Sequence, residues 1–287
     1  MTDLQKRSLL KLAALTAVAS AALMGCGKKE EPAPAVAPAA PAASAPAPEA
    51  AALKVAIDPT YEPFTFKTAD GNPTGFDVDI ATALCEQIKR KCEFVEQAWD
   101  SMIPGLNAKK YDVIISSMSI TDDRLKEVDF TDKYYNTPSR IVLKKSIKFT
   151  DIASLKGKKL GVLKGSTQEK YALGDLKPAG VVVNSYDAQD QVYLDIKSGR
   201  LDGTVADYME VSGGFLSKPE GANYVLVGPD LKDPKYFGYG AGIALRKGED
   251  KLKSELNEGI KAIRATAAYK TMADKYFAKY NIDIYGE

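Results

Sequence analysis

Histidine is absent from all 287 residues. That absence removes the usual general base, the usual partner in a nucleophilic triad and the commonest zinc ligand, so enzyme readings start at a disadvantage; the expectation is a binder, not an enzyme, with no metal and no cofactor. An excess of either charge is missing too, since 39 Lys and Arg stand against 38 Asp and Glu. No global field therefore draws the molecule to nucleic acid or to an anionic surface, and any selectivity must come from local placement of charge. The sequence holds no G-x-x-x-x-G-K-[ST] phosphate loop and no repeat at solenoid spacing. Cysteine is scarce, with three in all, and there is a single tryptophan.

What is present begins with an address. Lys6 and Arg7 precede an apolar run from Leu9 to Leu23, interrupted only by Lys11 and small hydroxyl residues, and Gly25-Cys26 follows. The run is too short and too interrupted to span a bilayer and has the layout of an export signal. Leu23-Met24-Gly25-Cys26 resembles a bacterial lipobox, which would leave Cys26 as a lipid-bearing first residue and tether residues 27 onward to a membrane, in the periplasm or at the cell surface. The alternative is soluble secretion with Cys26 removed or idle. From Pro32 to Ala52, 18 of 21 residues are Ala or Pro, a composition that builds no core but makes an extended spacer of about 3.1 Å per residue where it is polyproline-like.

With Cys26 set aside, Cys85 and Cys92 remain as a pair. In an exported protein an even pair argues for a disulfide; two buried free thiols are the alternative. Seven residues apart on one helix their positions would stand roughly 10 Å from each other, beyond the reach of a bridge, so a bridge requires the helix to stop near Lys89 to Lys91.

Folded sequence starts near Leu53, where short apolar strands begin to alternate with amphipathic helices, the pattern of α/β architecture with mostly parallel sheets. Strands are expected at 53–57, 112–116, 159–163, 181–185 and 201–206, and helices at 78–88, 101–109, 167–173, 188–197 and 208–217. Extended stretches at 139–144 and 238–246 lack a following helix and read as crossovers between two lobes. A helical region, 250–277, comes last.

In open α/β sheets ligands bind beyond the carboxyl ends of the strands, and four strand ends carry polar chemistry. Asp58 ends the first. The second runs into Ser116-Ser117-Met118-Ser119, with Ser119 and Thr121 placed as helix caps and Arg124 in the first turn of the helix they would start. A cation at the positive end of a helix dipole is unfavourable by about 0.3–1 kcal/mol unless an anion lies between them, so Arg124 reads as half of a carboxylate clamp, or else as a surface arginine paired with Asp122, Asp123 or Glu127. Leu163 leads into Gly165-Ser166-Thr167-Gln168, a glycine turn opening a helix, which either presents donors to an anion or is an ordinary cap. Asp207 ends the fourth. Two anion-facing helix starts and two separate aspartates match a zwitterionic amino acid with a basic side chain. Tyr61 and Trp99 could flank such a side chain by stacking and cation–π contact, or could be simple packing residues.

The stretches Asp58-Pro59-Thr60-Tyr61-Glu62-Pro63-Phe64, Gly75-Phe76-Asp77-Val78-Asp79, Ser116-Ser117-Met118-Ser119-Ile120-Thr121 and Gly165-Ser166-Thr167-Gln168 resemble the bacterial periplasmic amino-acid-binding proteins, in particular the histidine-binding and lysine/arginine/ornithine-binding groups. The likeness runs from Leu53 to Glu287, and includes the Cys85 and Cys92 pair and a closing Asp283-Ile284-Tyr285-Gly286. It implies a two-lobed periplasmic-binding-protein fold with two hinge strands, lobe one from 53–136 and 241–287 and lobe two from 137–240, and a monomer. It implies that Arg124 pairs with a ligand α-carboxylate, helped by Ser117, Ser119 and the Thr167 backbone. Asp207 would accept the α-ammonium, and Asp58, with Ser116, the distal cation. Tyr61, Trp99, Leu163, Ser166 and Gln168 would form the walls. The implied partners are arginine, ornithine, lysine or histidine as ligand, and an ABC transporter permease with a separate ATPase. The same fold also serves dehydratases of ring carboxylates, but such a substrate offers no second cation to match both Asp58 and Asp207. A lipid-anchored chemosensory or adhesive protein is the remaining alternative.

Overall fold

The computed structural model describes residues 51–280 and 284–285. The expected export signal, Cys26, the expected tether up to residue 50, and Asp283 and Gly286 lie outside the described residues.

Two five-stranded sheets organise the described residues. In the first, β1 (Leu53–Ile57) lies between β4 (Cys92–Glu96) and β5 (Val113–Ile114), parallel to both; β12 (Ala241–Leu245) runs antiparallel beside β5, and β6 (Asp129–Tyr135) closes the edge. The second repeats the plan. Its parallel strands are β8 (Lys159–Leu163), β9 (Val182–Tyr186) and β10 (Gly203–Asp207), with β7 (Ser139–Lys144) antiparallel to β10 and β11 (Tyr224–Leu231) on the edge. A two-stranded ladder, β2 (Phe66–Lys67) with β3 (Pro73–Thr74), precedes the first helix.

The alternation of side chains along each strand feeds two cores per sheet. On β1, Leu53, Val55 and Ile57 join one fully buried cluster with the helices α1 (Phe76–Gln87), α7 (Asp250–Arg264) and α8 (Ala267–Phe277), while Ala56 faces a second cluster with α2 (Met102–Asn107). The other sheet is covered likewise. On one face lie α3 (Thr167–Tyr171) and α6 (Pro234–Phe237), on the opposite face α4 (Gln189–Lys197) and α5 (Tyr208–Val211).

Helix α1 ends at Gln87, and Lys89 adopts φ 54°, which turns the chain back at the place that a bridge requires. Cys85 and Cys92 are joined, with Cα atoms 5.7 Å apart, and pin α1 to the edge strand β4. Closing so small a loop contributes roughly 2–3 kcal/mol in the chain-entropy account.

Several expected elements are redrawn. The stretches 139–144 and 238–246 are not themselves crossovers: most of each is a strand, β7 or β12, whose backbone groups are consumed by ladders inside one sheet. The chain passes between sheets just ahead of them, at 136–138 and 232–240. The helix expected at 101–109 is a 3-10 turn, Trp99–Ser101, followed by α2. Helices α3 and α5 each continue into a π-helical turn, Ala172–Leu176 and Ser212–Leu216. The last helical region is two helices, because Thr266 leaves helical geometry and caps α8 through the Ala268 amide at 3.2 Å.

Candidate functional site

The carboxyl ends of β1, β5, β8 and β10 open on one cleft between the two sheets, and all twelve residues expected to touch ligand line it. Asp58 follows β1 and is 5% exposed. Its amide donates to Ser116 Oγ at 3.0 Å, which ties the end of β1 to the end of β5, and its Oδ1 accepts from the Thr60 amide at 3.1 Å and the Thr60 hydroxyl at 2.8 Å. Burial pushes the Asp58 carboxyl above its ordinary range in spite of the Thr60 hydrogen bonds, and the field of Asp190 adds to the rise. No lysine or arginine among the described residues forms an ion pair with it.

Arg124 does not start an α-helix. It opens a three-residue 3-10 turn, Arg124–Lys126, with its amide 3.3 Å from Thr121 Oγ1, so no α-helix dipole stands behind it. The side chain makes the case instead. One guanidinium nitrogen donates to the Ser119 carbonyl at 3.0 Å, another to the Gly165 carbonyl of the opposite half at 3.1 Å, and the group lies over the Trp99 ring at 5.3 Å. Burial lowers its pKa to about 10, far enough above neutrality to keep the charge. Two of the carboxylates near it in sequence are engaged elsewhere: Asp123 pairs with Lys126 and Lys170, and Asp122 accepts from Tyr239. Among the described residues no carboxylate forms an ion pair with Arg124.

Asp207 ends β10 and caps α5, its Oδ1 accepting from the amides of Met209 at 2.8 Å and Glu210 at 3.2 Å. Its second oxygen accepts from the Thr137 hydroxyl, and burial raises the carboxyl to about 6 against these three donors. On the same half, Gly165 sits at φ 73°, where glycine is favoured, and feeds α3. Ser166 accepts from the Glu169 amide at 3.0 Å, and Glu169 returns to the Gly165 amide at 2.7 Å. The Thr167 and Gln168 amides, in the first turn, have no intrahelical carbonyl to serve. Gln168 also donates to Ser139 Oγ at 2.9 Å.

Ser117 shows what sequence reading left out. It holds φ 56°, uncommon for a residue with a side chain, and is clamped from below. Its hydroxyl donates to Asp77 at 2.8 Å, its amide to the Tyr134 hydroxyl at 3.1 Å, and Tyr134 in turn donates to Asp77 at 2.8 Å. Asp77 is fully buried, and burial raises it to about 7 although Ser117, Tyr134 and Thr65 all donate to it. Thr137, Ser139, Asn136, Lys232 and Gly238 also line the cleft. Ser139 opens β7, and the other four come from the two crossings, where no periodicity marks a polar residue as inward-facing; only the position of Asn136-Thr137-Pro138 directly before a strand points to it.

Two buried aspartates and the half-buried Arg124 share one cleft without forming ion pairs, a charge pattern that matches a zwitterion. The comparisons with known proteins agree in kind. Residues 53–279 match the family of bacterial extracellular solute-binding proteins, family 3. This chain belongs to that family. It is 50% identical over 235 residues to the L-arginine-binding protein of Pseudomonas aeruginosa, covering 82% of this chain and 90% of that one. The histidine-binding periplasmic protein of Salmonella typhimurium is 44% identical over 235 residues, 82% of this chain and 89% of that one. Among solved structures, a periplasmic binding protein of Salmonella typhimurium described for its high arginine specificity superposes with a TM-score of 0.74 at 34% identity, covering 79% of this family member and all of the other.

Proposed function

We propose that this solute-binding protein captures a basic L-amino acid, arginine, ornithine, lysine or histidine, by closing two lobes on it, and delivers it to the permease of an ABC importer that has a separate ATPase. The observation that supports this reading is the unpaired Arg124 in the same cleft as Asp58 and Asp207, neither of which has a cationic partner among the described residues. Arg124 with the Thr167 amide, Ser117 and Ser119 takes the α-carboxylate; Asp207 takes the α-ammonium; Asp58, beside Ser116, takes the side-chain cation, with Tyr61, Trp99, Leu163, Ser166 and Gln168 as walls. Lobe one is 53–136 with 241–287, and lobe two is 137–240. Arg124 and Asp58 belong to lobe one, Thr167 and Asp207 to lobe two, so a bound amino acid bridges the halves, and closure buries both ionic ends with partners. The protein works as a monomer outside the cytoplasm, held to a membrane through a lipid on Cys26 and spaced from it by the Ala/Pro tether.

A thermal-shift screen of all the amino acids tests the proposal, because a ligand that binds only the folded state raises its apparent stability by mass action. Arginine, ornithine, lysine or histidine should raise the midpoint most. Stabilisation by acidic or apolar amino acids alone would overturn it.

The aspartates add a pH dependence with a defined sign. The folded ligand-free protein holds the Asp207 proton more tightly than an unfolded chain does, at about 6 against 3.8. That contribution to stability is full below the unfolded value and is lost as pH rises through about 6. An ammonium ligand favours the ionised carboxylate, so binding below about pH 6 must expel this proton. Arginine affinity measured by calorimetry should be flat above pH 7 and fall by about tenfold per pH unit below 6, more steeply where Asp58 is protonated as well. An affinity independent of pH between 5 and 7 would remove Asp207 from contact with the ammonium.

A further inference from the structure

The helix that Asp207 caps carries a second feature that the ligand contacts do not use. It runs through α5 into the π turn Ser212–Leu216, and one face of it meets the first-sheet half of the protein, while Val211 and Phe215 pack into its own. Met209, fully buried, belongs to the apolar cluster of the first sheet rather than its own. The Tyr208 ring meets Tyr280 edge-on at 6.5 Å between centroids. Further along comes Gly213-Gly214, a pair that helix propensity disfavours in a helix interior and that nothing in the local turn demands, since neither glycine has a positive φ. What they leave room for is the Glu62-Pro63 turn. A Cβ on Gly213 would stand 2.9 Å from Pro63 Cδ and 3.5 Å from the Tyr280 hydroxyl, and a Cβ on Gly214 would stand 2.8 Å from the Glu62 carbonyl oxygen. The three atoms nearest to that position at Gly213 all come from the first-sheet half; at Gly214 Glu210 Oε1 of its own half stands at 3.1 Å as well. Beyond them Lys218 reaches across to the Glu62 carboxylate at 2.6 Å.

We propose that this helix face is the seat on which the lobes dock as they close, and that Gly213 and Gly214, with Glu62, Pro63 and Lys218, set ligand affinity without touching the ligand. The inference rests on the closure reading. Asp207 stands at the head of the same helix, so the group that meets the ammonium and the surface that meets lobe one move as one piece. Ligand affinity measures the free energy of reaching the closed form as well as the contacts made in it. This structure has the two halves in contact at Gly213, the arrangement that a bound ligand favours; bulk there is felt in that arrangement and not in an open one, so it weakens every ligand by one factor and leaves their ranking alone.

The test pairs small-angle scattering with calorimetry on the wild type, Gly213→Ala and Lys218→Met, using arginine and lysine as ligands. Wild type should contract on adding arginine. Gly213→Ala should bind arginine and lysine more weakly by one common factor, about tenfold or more as for overpacking elsewhere, while its ligand-free thermal midpoint holds or rises, alanine being the better helix former. Lys218→Met adds no bulk and should weaken both ligands equally by a few-fold at low salt, in the range of exposed ion pairs, with the difference shrinking as salt is added. A contracting wild type with unchanged affinity in both variants would overturn the inference and leave the closure reading standing. So would a factor that differs between arginine and lysine, or a lower ligand-free midpoint in Gly213→Ala. A wild type that does not contract would remove the closure reading and this inference together.

Discussion

Replacing Arg124 by alanine is expected to reduce arginine affinity by about two to four orders of magnitude, the equivalent of the roughly 3–5 kcal/mol lost when one partner of a buried ion pair is removed. No other arginine lines the cleft, and its second cation, Lys232, comes from the crossing between the sheets and has no planar fork to offer. Lys170 is committed to Asp123, and Lys164 to Asp100 and Asp187. Arg124→Lys should also lose most of the affinity. An ammonium cannot donate to Ser119 and Gly165 from a fixed plane while lying flat on Trp99 and presenting its remaining donors to a carboxylate. The ligand-free protein should tolerate either change, because the guanidinium makes no ion pair there and its burial disfavours the charge. Calorimetry with arginine, read beside the ligand-free thermal midpoint, separates the two effects. Wild-type affinity in Arg124→Ala would place the carboxylate elsewhere in the cleft.

The parts of this architecture that sequence made plain are those fixed by apolar runs. β1 and β8 begin and end where expected, since Leu53, Val55, Ile57 and Leu160, Val162 are wholly buried between layers. The strands that were not foreseen are the short pair β2 and β3 and, in the five-stranded sheets, β4, β6 and β11, which all lie at edges. Cys92-Glu93-Phe94-Val95-Glu96 and Asp129-Phe130-Thr131-Asp132-Lys133 carry charges where a central strand would carry valine, as edge strands do to discourage further pairing. The π turns at the ends of α3 and α5 were illegible for another reason: a π turn has no propensity signature distinct from that of the α-helix it extends. In the cleft, the strand-end rule brought together residues from both halves of the chain, from Asp58 to Asp207. It missed Asp77 and Tyr134, which act through Ser117 and never reach the surface, and Thr137, whose partner lies 70 residues away. The helix start expected around Arg124 does not form, yet the guanidinium stands without an ion-pair partner among the described residues and still favours an anion beside it.

Asp58→Asn provides the sharpest test of side-chain selectivity. The substitution keeps the shape, and an amide oxygen can still accept from the Thr60 amide and hydroxyl, so the turn after β1 should hold. It removes a buried carboxylate whose ionisation the surroundings oppose, so the ligand-free protein should be as stable as the wild type or more so at neutral pH. Ligands, by contrast, should separate by charge. Arginine, ornithine and lysine each lose the one carboxylate assigned to the distal cation, and truncating one side of a buried charge pair costs about 2–5 kcal/mol, a loss of at least thirtyfold in affinity at about 1.4 kcal/mol per tenfold. Citrulline and glutamine, which carry no side-chain charge, lose nothing comparable and can gain from the added amide donor. The diagnostic quantity is therefore the ratio of arginine to citrulline affinity, not either affinity alone: closure, docking and the α-amino-acid clamp are common to both ligands and cancel in the ratio. An unchanged ratio would mean that the cationic end of the side chain does not lie at Asp58, and would move the search to the next acidic group in the direction of its field, Asp190 on α4.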